Sequence, residues 1–260
     1  MIQLSATRRS VAGFAVFTLL MLALFVGLGI WQLQRRVEKH ALIVALTERL
    51  AAPPQSLSPP SQWRGLTPAG DEFRRVRFTA TYQRLPDAMV YSSGSAVRAD
   101  ISGPGTWAFL PARLPSGETV VINAGFVPNT MQDRAQQDRA VAPLLTDAPL
   151  TLTGYIRFPE AAGLLTPQQN PARRLWFTRD HLAMAAALDW GGGGQVAPFY
   201  IDLETPGPAS GIPKPGPLEV DLRDDHMQYA ITWFTLAGAV AIAFGAWLRA
   251  QRPGSGSTRS

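Results

Sequence analysis

Uncharged, apolar residues are concentrated in two stretches, one towards each end of the chain. Residues 11–34 carry no charge, and residues 229–248 form a second uncharged run. Each has about the 20 residues that a helix needs to cross the hydrocarbon core of a bilayer. Tyr229, Trp233 and Trp247 are aromatic residues of the kind that collect at membrane interfaces. The pattern predicts transmembrane helices over residues 11–34 and 229–248.

The first run could instead be a cleaved signal peptide, because Arg8 and Arg9 precede it. A signal core is usually only about 7–15 residues long. This run is longer, and no A-x-A cleavage site follows it. A retained helix is the better interpretation.

Arginines around the second run indicate its orientation. Arg249, Arg252 and Arg259 follow it, whereas only Arg223 lies closely before it. Positive residues favour the cytoplasmic side. The prediction is a cytoplasmic N-terminus (residues 1–10), a disordered cytoplasmic tail (residues 249–260) and an outer domain between the spans. Since no transit peptide fits before residue 11, a bacterial inner membrane and a periplasmic domain are expected.

Residues 35–225 show mainly strand patterns between Pro-rich linkers. Residues 76–82 alternate apolar and polar side chains, as a strand buried on one face does. Residues 106–114 and 119–127 flank a Pro-Ser-Gly-Glu turn and predict a hairpin. A surface helix is expected over residues 179–189, capped by Thr178. The predicted fold class is a mainly-β (α+β) extramembrane domain, a small antiparallel barrel or curved sheet, between two transmembrane helices.

The amino-acid composition excludes several classes of functional site. The chain has no cysteine, which excludes disulfides, iron–sulfur clusters and covalent c-type haem attachment. Its only histidines are His40, His181 and His226, and no acidic pair or nucleophile motif points to a hydrolase. The net charge is +5, but nucleic acid is a poor partner outside the cytoplasm. Anionic lipid head groups of the bilayer are a better one.

His226 stands three residues before the second run and is the first residue of one helical face. At helical spacing this face continues with Ala230, Trp233, Ala237, Ala241 and Gly245. Small residues of this kind let membrane helices approach closely. The lower part of the face therefore predicts helix–helix packing, while the histidine needs a separate explanation.

Polar and aromatic residues meet at one membrane depth if both runs span. The outer end of the first run carries Trp31, Gln32, Arg35 and Arg36, and the outer end of the second carries His226, Tyr229 and Trp233. A neutral imidazole can ligate haem iron, and arginine can pair with propionate groups. A cofactor with an apolar plane and two carboxylates would suit this interface.

The same residues carry a family resemblance. The chain resembles the Surfeit locus protein 1 family in five segments, in order: residues 29–36 (GIWQLQRR), 103–105 (GPG), 121–128 (VINAGFVP), 170–180 (NPARRLWFTRD) and 226–234 (HMQYAITWF). The run at residues 226–233 is the most specific of them. Ala124 departs from the arginine usual in the third segment.

The resemblance implies a cytochrome c oxidase biogenesis factor that binds haem a and assists its insertion into the catalytic subunit, without catalysing a reaction of its own. It implies His226 as an axial ligand of the haem iron. Tyr229, Trp233, Trp31, Gln32 and Arg35 would then form the rest of the site. Cytochrome c oxidase subunit I is the expected partner, and haem a synthase a further candidate.

Two alternatives remain open. The protein could be a membrane scaffold that stabilises an oxidase assembly intermediate without binding haem. It could also be an enzyme that modifies haem or lipid, although the lack of paired acid and base groups argues against that.

Overall fold

The computed structural model describes residues 2–95, 97–131, 133–219 and 225–250. The chain divides into two compact units. We call Met1–Val44 with Arg223–Ser260 the helical unit, and Ala45–Leu222 the central domain. Arg252 and Arg259, which support the predicted orientation, lie outside the described residues, as do Arg223 and most of the predicted tail.

Helices and strands follow one another along the chain as predicted in outline. The helices are α1 (Ile2–Ala51), α2 (Pro68–Asp71), α3 (Arg134–Val141), α4 (His181–Leu188) and α5 (His226–Ala250). The strands are β1 (Gln55–Ser56), β2 (Arg75–Tyr82), β3 (Ala88–Ser92), β4 (Gly105–Arg113), β5 (Thr119–Pro128), β6 (Leu150–Arg157), β7 (Leu175–Trp176) and β8 (Val196–Thr205). By length and composition, α1 and α5 could each cross a membrane.

Within the helical unit, α1 and α5 pack antiparallel. The rings of Phe25 and Trp233 stack with centroids 5.7 Å apart. Gly29 lies so close to Phe234 that a Cβ at this position would be 2.7 Å from the ring. Glycine therefore lets the ring of Phe234 lie against α1 without a shift, and it belongs to the first of the five family-like segments.

The prediction that small residues of α5 pack against another helix is confirmed only for the N-terminal half of α5. Ala230 and Ala237 are buried, whereas Ala241 is exposed. Towards the end of α5 the packing is aromatic, with the ring of Trp247 4.7 Å from that of Phe14.

The central domain is built on one eight-stranded mixed sheet. The strand order is β1-β2-β6-β8-β5-β4-β3-β7, and β2 also pairs with β4 through residues 81–82 and 112–113. Most neighbours are antiparallel, but β1–β2, β5–β8 and β3–β7 are parallel. The expectation of an antiparallel barrel or curved sheet therefore has to be corrected to a mixed sheet. Because β5 and β6 run in opposite directions, β8, which lies between them, is antiparallel to β6 and parallel to β5.

Strands β4 and β5 separate two apolar cores. They form the predicted hairpin, and nearly all of their side chains are buried. On β4, Leu110 belongs to the first core with the inward residues of β2, while Phe109 belongs to the second. A strand that is covered on both faces has a continuous run of apolar residues in its sequence. In β2 only one face is buried, and its residues alternate as predicted.

Helix α4 covers the second core and buries a histidine. The expectation of a surface helix is wrong at His181, whose side chain is fully buried with Nε2 3.0 Å from the carbonyl oxygen of Ala197. The N-cap is Asp180, which accepts from the backbone N–H of Ala183. Thr178, the predicted cap, instead accepts a hydrogen bond from Gln169.

Burial of His181 predicts a loss of stability in acid. Burial lowers the pKa of His181 to about 4, whereas an unfolded histidine titrates near 6.5. Between these values the unfolded chain binds a proton that the native core excludes. The free energy of unfolding should therefore fall by about 3 kcal/mol as the pH drops from 6.5 to 4.

Urea unfolding at pH 6.5, 5 and 4 measures this effect. In His181→Gln this contribution should disappear, while His40→Gln, at an exposed position of α1, should keep it. An identical pH dependence in wild type and His181→Gln would contradict the assignment.

A buried ionic network joins β5, β6 and β8. Asp202 accepts hydrogen bonds from Asn123 Nδ2 at 2.6 Å and from Arg157 Nη1 at 2.9 Å. Arg157 Nε donates to Glu72 Oε1 at 3.0 Å. Burial opposes the charge of Arg157, but Tyr200, Asp202 and Glu72 raise its pKa above the ordinary value. Asn123, from the third family-like segment, thus holds a buried carboxylate.

Ala124 and Gly125, the next two residues of this segment, are also buried in the central domain. Ala124, which replaces the arginine usual in the family, is fully buried in the first core. Gly125 has φ +125° and lies against the backbone of Lys214 and Pro215. Phe126 and Lys214 exchange two backbone hydrogen bonds there, of 2.8 and 3.1 Å. The glycine allows the returning chain to pair with β5.

Candidate functional site

His226, the first residue of α5, contacts α1 directly. Its Nδ1 lies 2.7 Å from Oε1 of Gln32, although the two residues are 194 positions apart. Both side chains are partly buried. This contact brings the end of the first apolar run, within α1, to the start of α5, as the shared-depth prediction requires.

A second contact lies one turn further along α1. Nη1 of Arg36 is 3.6 Å from the sulfur of Met227. The sequence places Arg36 beside Arg35 at the outer end of the first run, whereas it gives Met227 no role in the site. Arg36 follows Gln32 by four residues and so shares its helical face.

The remaining predicted residues are placed in different ways. Trp31 and Tyr229 are about half exposed. Trp233 stacks on Phe25 and contributes to helix packing. Arg35 forms an ion pair of 2.9 Å with Glu38, in which both side chains are largely exposed. The structure thus joins Gln32 to His226 and turns Arg35 towards its own helix; a shared cofactor site for all six residues stays a prediction.

The chemistry at this end of the helical unit suits an iron porphyrin. One imidazole supplies a single nitrogen ligand, which fits iron already held by four ring nitrogens. Trp31, which precedes Gln32, and Tyr229, three residues after His226, offer uncovered aromatic surface. Arg35 and Arg36 stand within about one turn of Gln32 and could pair with carboxylates, Arg35 by exchanging its exposed partner Glu38. Among the side chains that the structure describes, no group of three His, Cys, Asp or Glu is placed to hold a metal ion.

Strand β2 of the central domain carries two arginines, Arg75 and Arg77. Arg75 donates through Nε and Nη2 to both carboxylate oxygens of Glu204, each at 2.7 Å. The charge of Arg75 is therefore compensated within the domain.

Two apolar helices, one before and one after a mixed-sheet domain in the sequence, define a class of protein with two candidate membrane spans. Residues 19–238 match the SURF1 family. The chain belongs to this family.

Individual relatives agree along most of the chain. Surfeit locus protein 1 of Rattus norvegicus is 31% identical over 238 residues, which cover 86% of this chain and 72% of the relative. Surfeit locus protein 1 of Homo sapiens is 28% identical over 250 residues, 91% of this chain and 78% of the relative. The SURF1-like protein of Drosophila melanogaster is 30% identical over 254 residues, 92% and 79% of the two chains.

Proposed function

We propose that this protein is a cytochrome c oxidase assembly factor that holds haem a between α1 and α5 and assists its insertion into the catalytic subunit. The observation that carries the proposal is the 2.7 Å contact between His226 and Gln32. It unites the two most specific family-like segments at one end of the helical unit. Subunit I would receive the haem, and haem a synthase is a candidate donor.

The proposal includes two spans in a bacterial inner membrane, with both termini cytoplasmic and the central domain periplasmic. The antiparallel packing of two helices long enough to cross a bilayer supports it. Arg249, in the last turn of α5, supports a cytoplasmic C-terminus. The successive pairing of β2, β6, β8, β5 and β4, with β4 returning to β2, supports a small barrel.

The proposed role is to bind and release, so it requires no reaction of the protein's own. His226 would ligate the iron, which in the oxidase supplies the electron-transfer and oxygen chemistry. The aromatic surface of Trp31 and Tyr229 would shield one edge of the macrocycle from water. A site with one histidine releases haem more readily than one closed by two, which suits delivery.

Haem content tests the proposal. Full-length protein purified in detergent from cells that make haem a should carry it, as read from the absorption spectrum of the reduced sample. His226→Ala should carry at least about tenfold less, since the ligand is lost. His40→Ala, at an exposed position of α1, should match wild type. Colourless wild-type protein that still supports oxidase assembly would favour the scaffold alternative.

A further inference from the structure

The contact between His226 and Gln32 joins Nδ1 of the imidazole to Oε1 of the amide. An amide oxygen accepts, so this arrangement forms a hydrogen bond when Nδ1 of His226 carries the proton and donates. A neutral imidazole carries one N–H. Its other nitrogen, Nε2, then carries the lone pair, which is the electron pair that a metal ligand needs.

We propose that Gln32 is a positioning residue that holds His226 as the Nδ1–H tautomer, so that Nε2 is the atom presented to the haem iron. This inference rests on the proposed function. Histidines that ligate metals commonly donate their second N–H to an acceptor, which fixes the ring and raises the basicity of the ligating nitrogen. Gln32 supplies this acceptor from a different helix.

Neighbouring contacts fix the register of Gln32 against α5. Three residues before it, Gly29 permits the close approach of the Phe234 ring. Four residues after it, Arg36 reaches Met227. Positions 29, 32 and 36 share one face of α1. Contacts on both sides therefore keep the amide opposite His226, which makes the tautomer a consequence of how the two helices pack.

The acceptor is also a neutral group. A carboxylate at this position would form a charge-assisted hydrogen bond of about twice the strength. It would make His226 a stronger donor to iron. An amide fixes the tautomer with a weaker effect on the ligand, which suits a site from which haem must leave.

Nitrogen NMR of the haem-free, full-length protein in nanodiscs reads the tautomer directly. With ¹⁵N-histidine, the resonances of His226 are assigned by comparison with His226→Ala. Wild type should show Nδ1–H. Gln32→Leu should lose this preference. Gln34→Leu, the same change at an exposed position two residues on, should keep it. An Nε2–H signal from His226 in wild type would overturn the inference without any use of haem.

Titration with haem a extracted from a terminal oxidase supplies the second measurement. Gln32→Leu should weaken binding by about 10- to 100-fold, whereas Gln34→Leu should bind as wild type does. Gln32→Glu should restore binding and lower the midpoint potential of the bound haem, an effect that a purely structural role of Gln32 would not produce.

The outcomes separate the two proposals. If wild type binds no haem a, both the proposed function and this inference are wrong. If wild type binds haem a but Gln32→Leu binds it as tightly as Gln34→Leu, only the role of Gln32 is wrong.

Discussion

Asp202→Ala should lower the free energy of unfolding of the central domain by about 3–5 kcal/mol. The substitution removes the carboxylate that accepts from both Asn123 and Arg157. Arg157, only 10% exposed, would keep its ion pair with Glu72. It would lose its ion pair with Asp202, the more deeply buried of the two carboxylates. A loss of this size is a large part of the 5–15 kcal/mol that stabilises a typical domain.

Urea unfolding followed by near-ultraviolet circular dichroism measures this change. Asp147→Ala is the matched control, because Asp147 pairs with Arg84 where both side chains are mostly exposed. Exposed pairs contribute about 1 kcal/mol or less. If the two variants unfold at the same urea concentration, the network around Asp202 contributes no more than a surface ion pair.

Gly125→Ala should destabilise the central domain by at least about 3 kcal/mol. Two effects add. A side chain at φ +125° is strained, and its Cβ would overlap the backbone of Lys214 and Pro215. Because backbone cannot rotate away as a side chain can, the pairing of Phe126 with Lys214 should be lost.

Gly117→Ala separates strain from overlap. Gly117 has φ +105°, but nothing lies within 4 Å of a Cβ built there. It should cost only the conformational strain, about 1–2 kcal/mol. Thermal unfolding of both variants gives the comparison, and equal losses would show that overlap at Gly125 contributes nothing.

Elements with a regular local pattern could be predicted from the sequence. The alternation over residues 76–82 predicted β2, since one face of this strand is buried and the other is not. The turn between β4 and β5 predicted their pairing, because a tight hairpin requires adjacent antiparallel strands. Both inferences use residues that are close in sequence.

Local patterns could not predict features that depend on residues far apart in the sequence. Nothing local indicates that β8 pairs in parallel with β5, whose partner residues are 79 positions apart at Ile122 and Ile201. The burial of His181 depends on α4 covering the second core. The sequence of α4 is apolar on all sides and gives no stripe that marks the buried face.

The candidate site was only partly predictable. Equal membrane depth placed Gln32 near His226, and the structure has them in contact. The same argument could not say which side chain turns where. Arg35 lies three residues before Glu38, a spacing that favours an ion pair on one helix, and it takes that partner.

The central place of β8 has a consequence for how the chain matures. This strand is the last of the sheet to be synthesised, yet it lies between β5 and β6. Until Val196 and its successors emerge, both neighbours keep an open edge that could pair with another chain. Pairings between distant residues also form slowly. Nascent chains should therefore be most vulnerable to aggregation and proteolysis just before β8 pairs with β5 and β6.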